Sequence, residues 1–155
     1  MQFEIRPARQ SDAGDLSALI RGLGLFPRLE GEDAALTAQR VARHLEMCLA
    51  DDSHTTLVAT RDDGSVIAYA AVHRLPYLFL AGPEGYLSEL FVTESWRGCG
   101  VGTALLDAVA SSARDRGCAR LMLEAVKHRE SYARGFYPQR GWTEREDVAN
   151  MVREL

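Results

Sequence analysis

An α/β fold with a mixed central β-sheet flanked by helices follows from three features of the sequence. Short β-branched or apolar runs alternate with amphipathic helical runs. Their order reads β-α-α-β-β-β-α-β-α-β. The connection between Tyr86–Val92 and Leu121–Val126 is long enough to be a parallel crossover, which makes the sheet mixed. At 155 residues the chain has the size of one domain, spanning residues 1–155, and no repeat, low-complexity tract or long linker interrupts it.

Phe3 and Ile5, approaching Pro7, predict a first strand, and Ser11 is the expected N-cap of a helix carrying Ala13, Leu16, Ile20 and Leu23. Gly22, Gly24 and Pro27 break that helix. A loop from Leu25 to Asp33 precedes a second amphipathic run at Ala34, Ala38, Val41, Leu45 and Leu49. Thr55–Thr60 and Ser65–His73 flank the turn signal Asp62-Asp63-Gly64 and predict an antiparallel hairpin. Pro76 and Gly82-Pro83 punctuate the way to a strand at Tyr86–Val92. Val101, Leu105, Ala108 and Val109 return to helical period, and Gly117 closes that helix before the strand Leu121–Val126. A short helix over Ser131–Tyr137, stopped by Pro138, and a last strand from Gly141-Trp142 through Val148 and Met151 complete the series.

Eighteen Lys and Arg against 22 Asp and Glu give a net charge of −4, which argues against a phosphate-neutralising face for nucleic acid and favours a cationic substrate. Cys48, Cys99 and Cys118 lack the paired spacing of a tetrahedral metal site and read as reduced intracellular thiols. No signal-peptide stretch and no run of about 18 apolar residues is present, so a soluble, cytoplasmic protein without membrane contact is expected.

The chemistry concentrates in Arg97-Gly98-Cys99-Gly100-Val101-Gly102-Thr103, between a strand and a helix. Three glycines in five positions expose successive backbone N–H groups, and the helix N-terminus adds partial positive charge, so a pyrophosphate is well received there. A ligand-free glycine turn is the plain alternative. The ATP-type P-loop is excluded because no Gly-Lys-Ser or Gly-Lys-Thr follows. A dinucleotide fingerprint is opposed by Gly102 standing one place early and by Thr93–Trp96 separating the strand from the glycines.

Glu89-Leu90-Phe91-Val92, then Thr93–Trp96, then Arg97-x-x-Gly100-x-Gly102 resembles the acyl-CoA-binding motif of the GNAT acetyltransferases. Ala133 to Phe136-Tyr137, followed by Gly141-Trp142, is similar to the family's closing helix and strand. The resemblance covers nearly the whole chain, and the element order is the family's. It implies that the backbone of Leu90, Phe91 and Val92 pairs with the pantetheine arm, and that Arg97, Gly98, Cys99, Gly100, Val101, Gly102 and Thr103 hold the pyrophosphate of acetyl-CoA. It also implies that Tyr137 protonates the departing thiolate, the alternative being a tyrosine packed beside Phe136. Two positions depart from the family pattern: Cys99 stands where many members carry a basic residue, and Glu130 lies where many place an asparagine.

Glu89 interrupts a strand of apolar or small residues, expected on the face of Leu87 and Phe91, where an unpaired carboxylate is a candidate base for a substrate ammonium. A solvated or arginine-paired glutamate is the alternative. The resemblance thus points to an N-acetyltransferase moving an acetyl group from acetyl-CoA, with no metal, to a primary amine of a small molecule or peptide. The alternative is a non-catalytic acyl-CoA-binding sensor. Phe26–Asp33 and Pro76–Phe79 combine aromatics with carboxylates and suit either an amine pocket, a charged loop or a homodimer contact.

Overall fold

In the computed structural model, residues 2–155 are described. They form two compact units, one running to Leu123 and the other from Glu124 to Leu155.

The first unit is built on a five-stranded sheet in the order β1-β2-β3-β4-β5. The strands are β1 (Glu4–Pro7), β2 (His54–Thr60), β3 (Val66–Leu75), β4 (Glu84–Val92) and β5 (Arg120–Leu123). The first three pairings are antiparallel and β4–β5 is parallel, so the sheet is mixed as the sequence predicts. Gly64, at φ +83°, makes the β2–β3 turn, where Asp63 accepts from the Ser65 N–H and hydroxyl.

Helices α1 (Ala13–Gly22) and α3 (Ala34–Leu49) cover one face, and the turn α2 (Pro27–Glu30) lies within the expected loop. Leu16, Leu19 and Leu45 pack there against Val58, Val66 and Tyr69. The other face carries α4 (Val101–Asp115), whose Val101, Leu105, Leu106, Val109 and Ala113 are buried at helical spacing.

The start of α1 differs from expectation. Asp12, not Ser11, organises it: its buried carboxylate takes two 2.8 Å hydrogen bonds from Arg6 and one from the Arg9 N–H. A carboxylate satisfies more donors at a helix entrance than a hydroxyl. Asp33 caps α3 by accepting from Ala35 N–H.

The second unit contains the short helix α5 (Glu130–Ala133) and a 3₁₀ turn over Pro138–Arg140. The expected helix to Tyr137 stops early because Gly135 adopts φ +66°, with the Phe136 N–H returning to Ser131 O. The expected last strand is absent: residues 141–155 form no strand. The polar run Thr143–Asp147 has no apolar alternation to bury, and Val148, Met151 and Val152 are exposed. The element order therefore holds up to its final strand. No helix among the described residues is long and apolar enough to cross a membrane.

Candidate active site

Strand β4 is paired on both sides only over its first half. Toward β5 the register runs from Glu84 opposite Arg120 to Leu87 opposite Leu123 and then stops, whereas toward β3 it continues to Val92 opposite Ala68. The β5-facing edge of Ser88–Val92 thus carries no ladder, and Leu90, Phe91 and Val92 lie on this stretch. An extended ligand arm can add to such an edge as a strand does.

The chain then turns through Glu94–Trp96, and the Arg97 Nε donates to Val92 O at 3.3 Å. Gly98 (φ +75°) and Gly100 (φ +84°) adopt the left-handed conformation, and Gly100 is the N-cap of α4. The first bond of the helix ladder is Ala104 N–H to Gly100 O. The N–H groups of Val101, Gly102 and Thr103 precede it at the positive end of a 15-residue helix, the arrangement that binds phosphate. Cys99 is exposed, its thiol toward Arg97 O at 3.7 Å. The glycine loop and the open half of β4 are therefore continuous.

Glu89 is placed by an irregularity that the alternation of a regular strand conceals. Ala71 pairs with Glu89 and Val72 with Leu87, so Ser88 is an extra residue in β4, a β-bulge. Ala71 and Val72 point to opposite faces, and their partners do the same. Glu89 therefore shares its face with Phe91 and Tyr69 as expected, but Leu87 lies on the opposite face, correcting the sequence expectation. Phe91 packs on Tyr69 (ring centroids 5.8 Å) and on Phe26 from the α1–α3 connection (5.7 Å).

Among the described residues Glu89 forms no salt bridge. Burial raises its carboxyl above the usual value; the Tyr69 hydroxyl acts in the opposite sense, yet its buried oxygen makes no hydrogen bond of ordinary geometry, so burial sets the direction. Their own burial first, and the Glu89 charge second, push up the Cys48 thiol of α3 and the Tyr69 phenol. The groups that feel Glu89 are thus a neutral thiol and a neutral phenol. A half-buried carboxylate without a cation suits proton abstraction from an incoming ammonium.

Tyr137 lies in the second unit, between Phe136 (5.1 Å) and Trp142 (6.2 Å). Burial raises its phenol above the ordinary value, and the Arg129 charge opposes this in part. The hydroxyl remains a proton donor at neutral pH. Its neighbour Phe136 is fixed by Arg140, whose guanidinium covers the ring at 4.1 Å and donates to the Phe136 carbonyl.

The clasp behind Phe26 was not singled out by sequence. Arg21 donates to Leu29 O, Glu32 O and the Thr37 hydroxyl, and Glu32 accepts from Thr37 and Arg40. Ser88 carries no local sequence signal that marks it as the extra residue of the bulge, which only the pairing with β3 reveals. No group of three or more metal-ligating side chains occurs among the described residues.

An open strand edge leads into a glycine loop at a helix N-terminus, an arrangement that can receive an extended arm and its phosphate. The chain belongs to the acetyltransferase (GNAT) family, which matches residues 24–142. It is 35% identical over 121 residues to an aminoglycoside N(6')-acetyltransferase type 1 of Stenotrophomonas maltophilia, covering 76% of this chain and 71% of that one. It is 29% identical over 127 residues to the thialysine N-epsilon-acetyltransferase of Mus musculus, covering 79% and 74%. The fold is shared with a predicted acetyltransferase from Clostridium acetobutylicum solved with acetyl-CoA, at TM-score 0.76 and 21% identity over 97% of this chain and 96% of that one.

Proposed function

We propose that the protein transfers the acetyl group of acetyl-CoA to a primary amine of a small molecule or peptide. The observation that carries this reading is the placement of Glu89 at a bulge, without a cation, on the strand whose edge opens toward the glycine loop. The named activities of the relatives, on an aminoglycoside and on thialysine, support amine acetylation and differ in the acceptor. The acceptor is therefore left as a class.

In this reading Val101, Gly102 and Thr103 N–H groups, with Arg97, hold the pyrophosphate, and the Leu90–Val92 backbone binds the pantetheine arm. Acetyl-CoA supplies the thioester that is attacked. Glu89, directly or through water, takes the proton of the ammonium, and backbone N–H groups of the strand stabilise the oxyanion. Tyr137 gives its proton to the thiolate. A binding-only sensor would keep the loop and use neither Glu89 nor Tyr137.

The test is release of free thiol from acetyl-CoA with an amine panel: lysine, thialysine, kanamycin, glucosamine 6-phosphate and a short peptide. Amine-dependent thiol release with the acetylated product identified by mass supports the reading. Tight CoA binding with neither amine transfer nor thioester hydrolysis supports the sensor.

A further inference from the structure

A cavity of about 310 Å³ opens between α1, the start of β3 and the residues that follow β4. Neither Glu89 nor Tyr137 lines it. Leu19, Leu23 and Val66 give it apolar walls, and Asp15, Thr93 and Glu94 supply polar groups. Thr93 directly follows the Leu90–Val92 stretch, and the turn Glu94–Trp96 leads on to Arg97, so an occupant touches the segment that enters the glycine loop.

The polar groups of this cavity are incompletely partnered. Thr93 is the N-cap of the turn Glu94–Trp96, yet its hydroxyl makes no capping bond, and this buried oxygen has no hydrogen-bond partner among the described residues. Its backbone is already used, the N–H donating to Ile67 O and the carbonyl accepting from Trp96 N–H. A buried hydroxyl left without a partner is unfavourable, so a ligand that reaches it removes that penalty. Asp15 accepts from the Val66 N–H through Oδ2 at 3.0 Å, and neither Asp15 nor Glu94 forms a salt bridge among the described residues. Gly22, the last residue of α1, also lines the cavity. Its φ is not in the left-handed region, so the backbone requires no glycine, and a Cβ built there meets no atom within 4 Å. The space it leaves is open.

Size and chemistry together define the occupant. A cavity of ~150 Å³ admits benzene, so one about twice as large takes a molecule of roughly ten to twelve non-hydrogen atoms. Apolar walls select a hydrocarbon body, two carboxylates without a counter-ion select positive charge, and the unpartnered hydroxyl oxygen selects an N–H donor. We propose that this cavity binds a small organic ammonium with an apolar body, its charge toward Asp15, Glu94 and the Thr93 hydroxyl and its body against Leu19, Leu23 and Val66. The site stands apart from acetyl transfer and does not rest on Glu89.

The test titrates phenethylammonium into the protein without acetyl-CoA, beside its neutral counterpart 2-phenylethanol, and follows backbone amide shifts. The ammonium should move the Val66, Thr93 and Glu94 amides along one saturable curve. The neutral alcohol should bind about tenfold more weakly or less, the margin of a charge-assisted hydrogen bond. Asp15→Asn keeps an oxygen for the Val66 N–H and removes the charge, and should weaken the ammonium about tenfold. Gly22→Phe fills the cavity from a helical position where phenylalanine is the better helix former, so it should fold and lose the binding. Should it not fold, Asp15→Asn decides alone. Glu89→Gln should bind the ammonium at these amides as the wild type does. Equal binding of 2-phenylethanol, unchanged binding by Asp15→Asn or by folded Gly22→Phe, loss of binding in Glu89→Gln, or no saturation by about 10 mM overturns the proposal. If acetyl transfer fails with every amine while these shifts appear, the site stands and the transfer reading falls.

Discussion

Leu87 and Glu89 point to opposite faces of β4 although one residue separates them, because Ser88 is bulged and the register shifts between Ala71 and Val72. Leu87 belongs to the core under α4 and is 4% exposed, whereas Glu89 stands on the face of Tyr69 and Phe91. One strand thereby anchors the sheet and presents a carboxylate within a stretch of three residues.

That division predicts opposite consequences for stability. Leu87→Ala should cost about 2–5 kcal/mol, the range for truncating a buried leucine. Glu89→Gln should leave the protein at least as stable at neutral pH. Since burial raises the folded carboxyl above its ordinary 4.5, the protonated form is favoured by folding, and the wild type loses stability relative to Glu89→Gln as pH rises from 4.5 through the raised value. Denaturant midpoints of both proteins across this range measure it.

Gly100→Ala should weaken CoA binding and destabilise the fold together. No atom stands within 4 Å of the added Cβ, so the cost comes from φ +84°, about 1–2 kcal/mol for a side chain in the left-handed region. Thermal unfolding with and without CoA separates the effects: the wild type should gain about 2.7 kcal/mol at a hundredfold excess of CoA over Kd, and the variant less. An equal gain would move the pyrophosphate away from this loop.

Much of this loop was legible because its signal is local. Glycine spacing and the following helical period are read from neighbouring residues, and Gly98, Gly100 and α4 fall where the sequence puts them. The bulge was not legible, because alternation assigns Leu87, Glu89 and Phe91 to one face until the pairing with β3 is known. His54 and His73, opposite each other on β2 and β3, are equally distant from the Asp63-Gly64 turn, so their pairing is readable from the hairpin itself. Gly141-Trp142 marks a position but specifies no strand, since the charged run after it gives no face to bury.

Glu32 should matter through pH. Its hydrogen bonds from Arg40 and Thr37 lower its carboxyl to about 2 from an ordinary 4.5. A depressed carboxyl stabilises the fold above 4.5 and loses that contribution as pH falls toward 2. Glu32→Gln should therefore be less stable than wild type at neutral pH, with the difference closing over that interval in denaturant titrations.

Tyr137→Phe should reduce kcat by roughly 10²–10⁴ and leave acetyl-CoA affinity unchanged, because the ring still packs between Phe136 and Trp142. Single-turnover kinetics with CoA binding measured in parallel provide the check. An unchanged chemical step returns Tyr137 to a packing role.

The most direct test of Glu89 as the base is the pH–rate profile of wild type and Glu89→Gln at saturating acetyl-CoA and amine. The wild-type rate should rise with pH along one ionisation lying above the ordinary carboxylate value of 4.5, since only the ionised form accepts the proton and burial raises that ionisation. Glu89→Gln should lose this limb and turn over slowly at all pH values while binding CoA as before. Superimposable profiles with equal rates would contradict the account, showing that water or the substrate itself disposes of the proton.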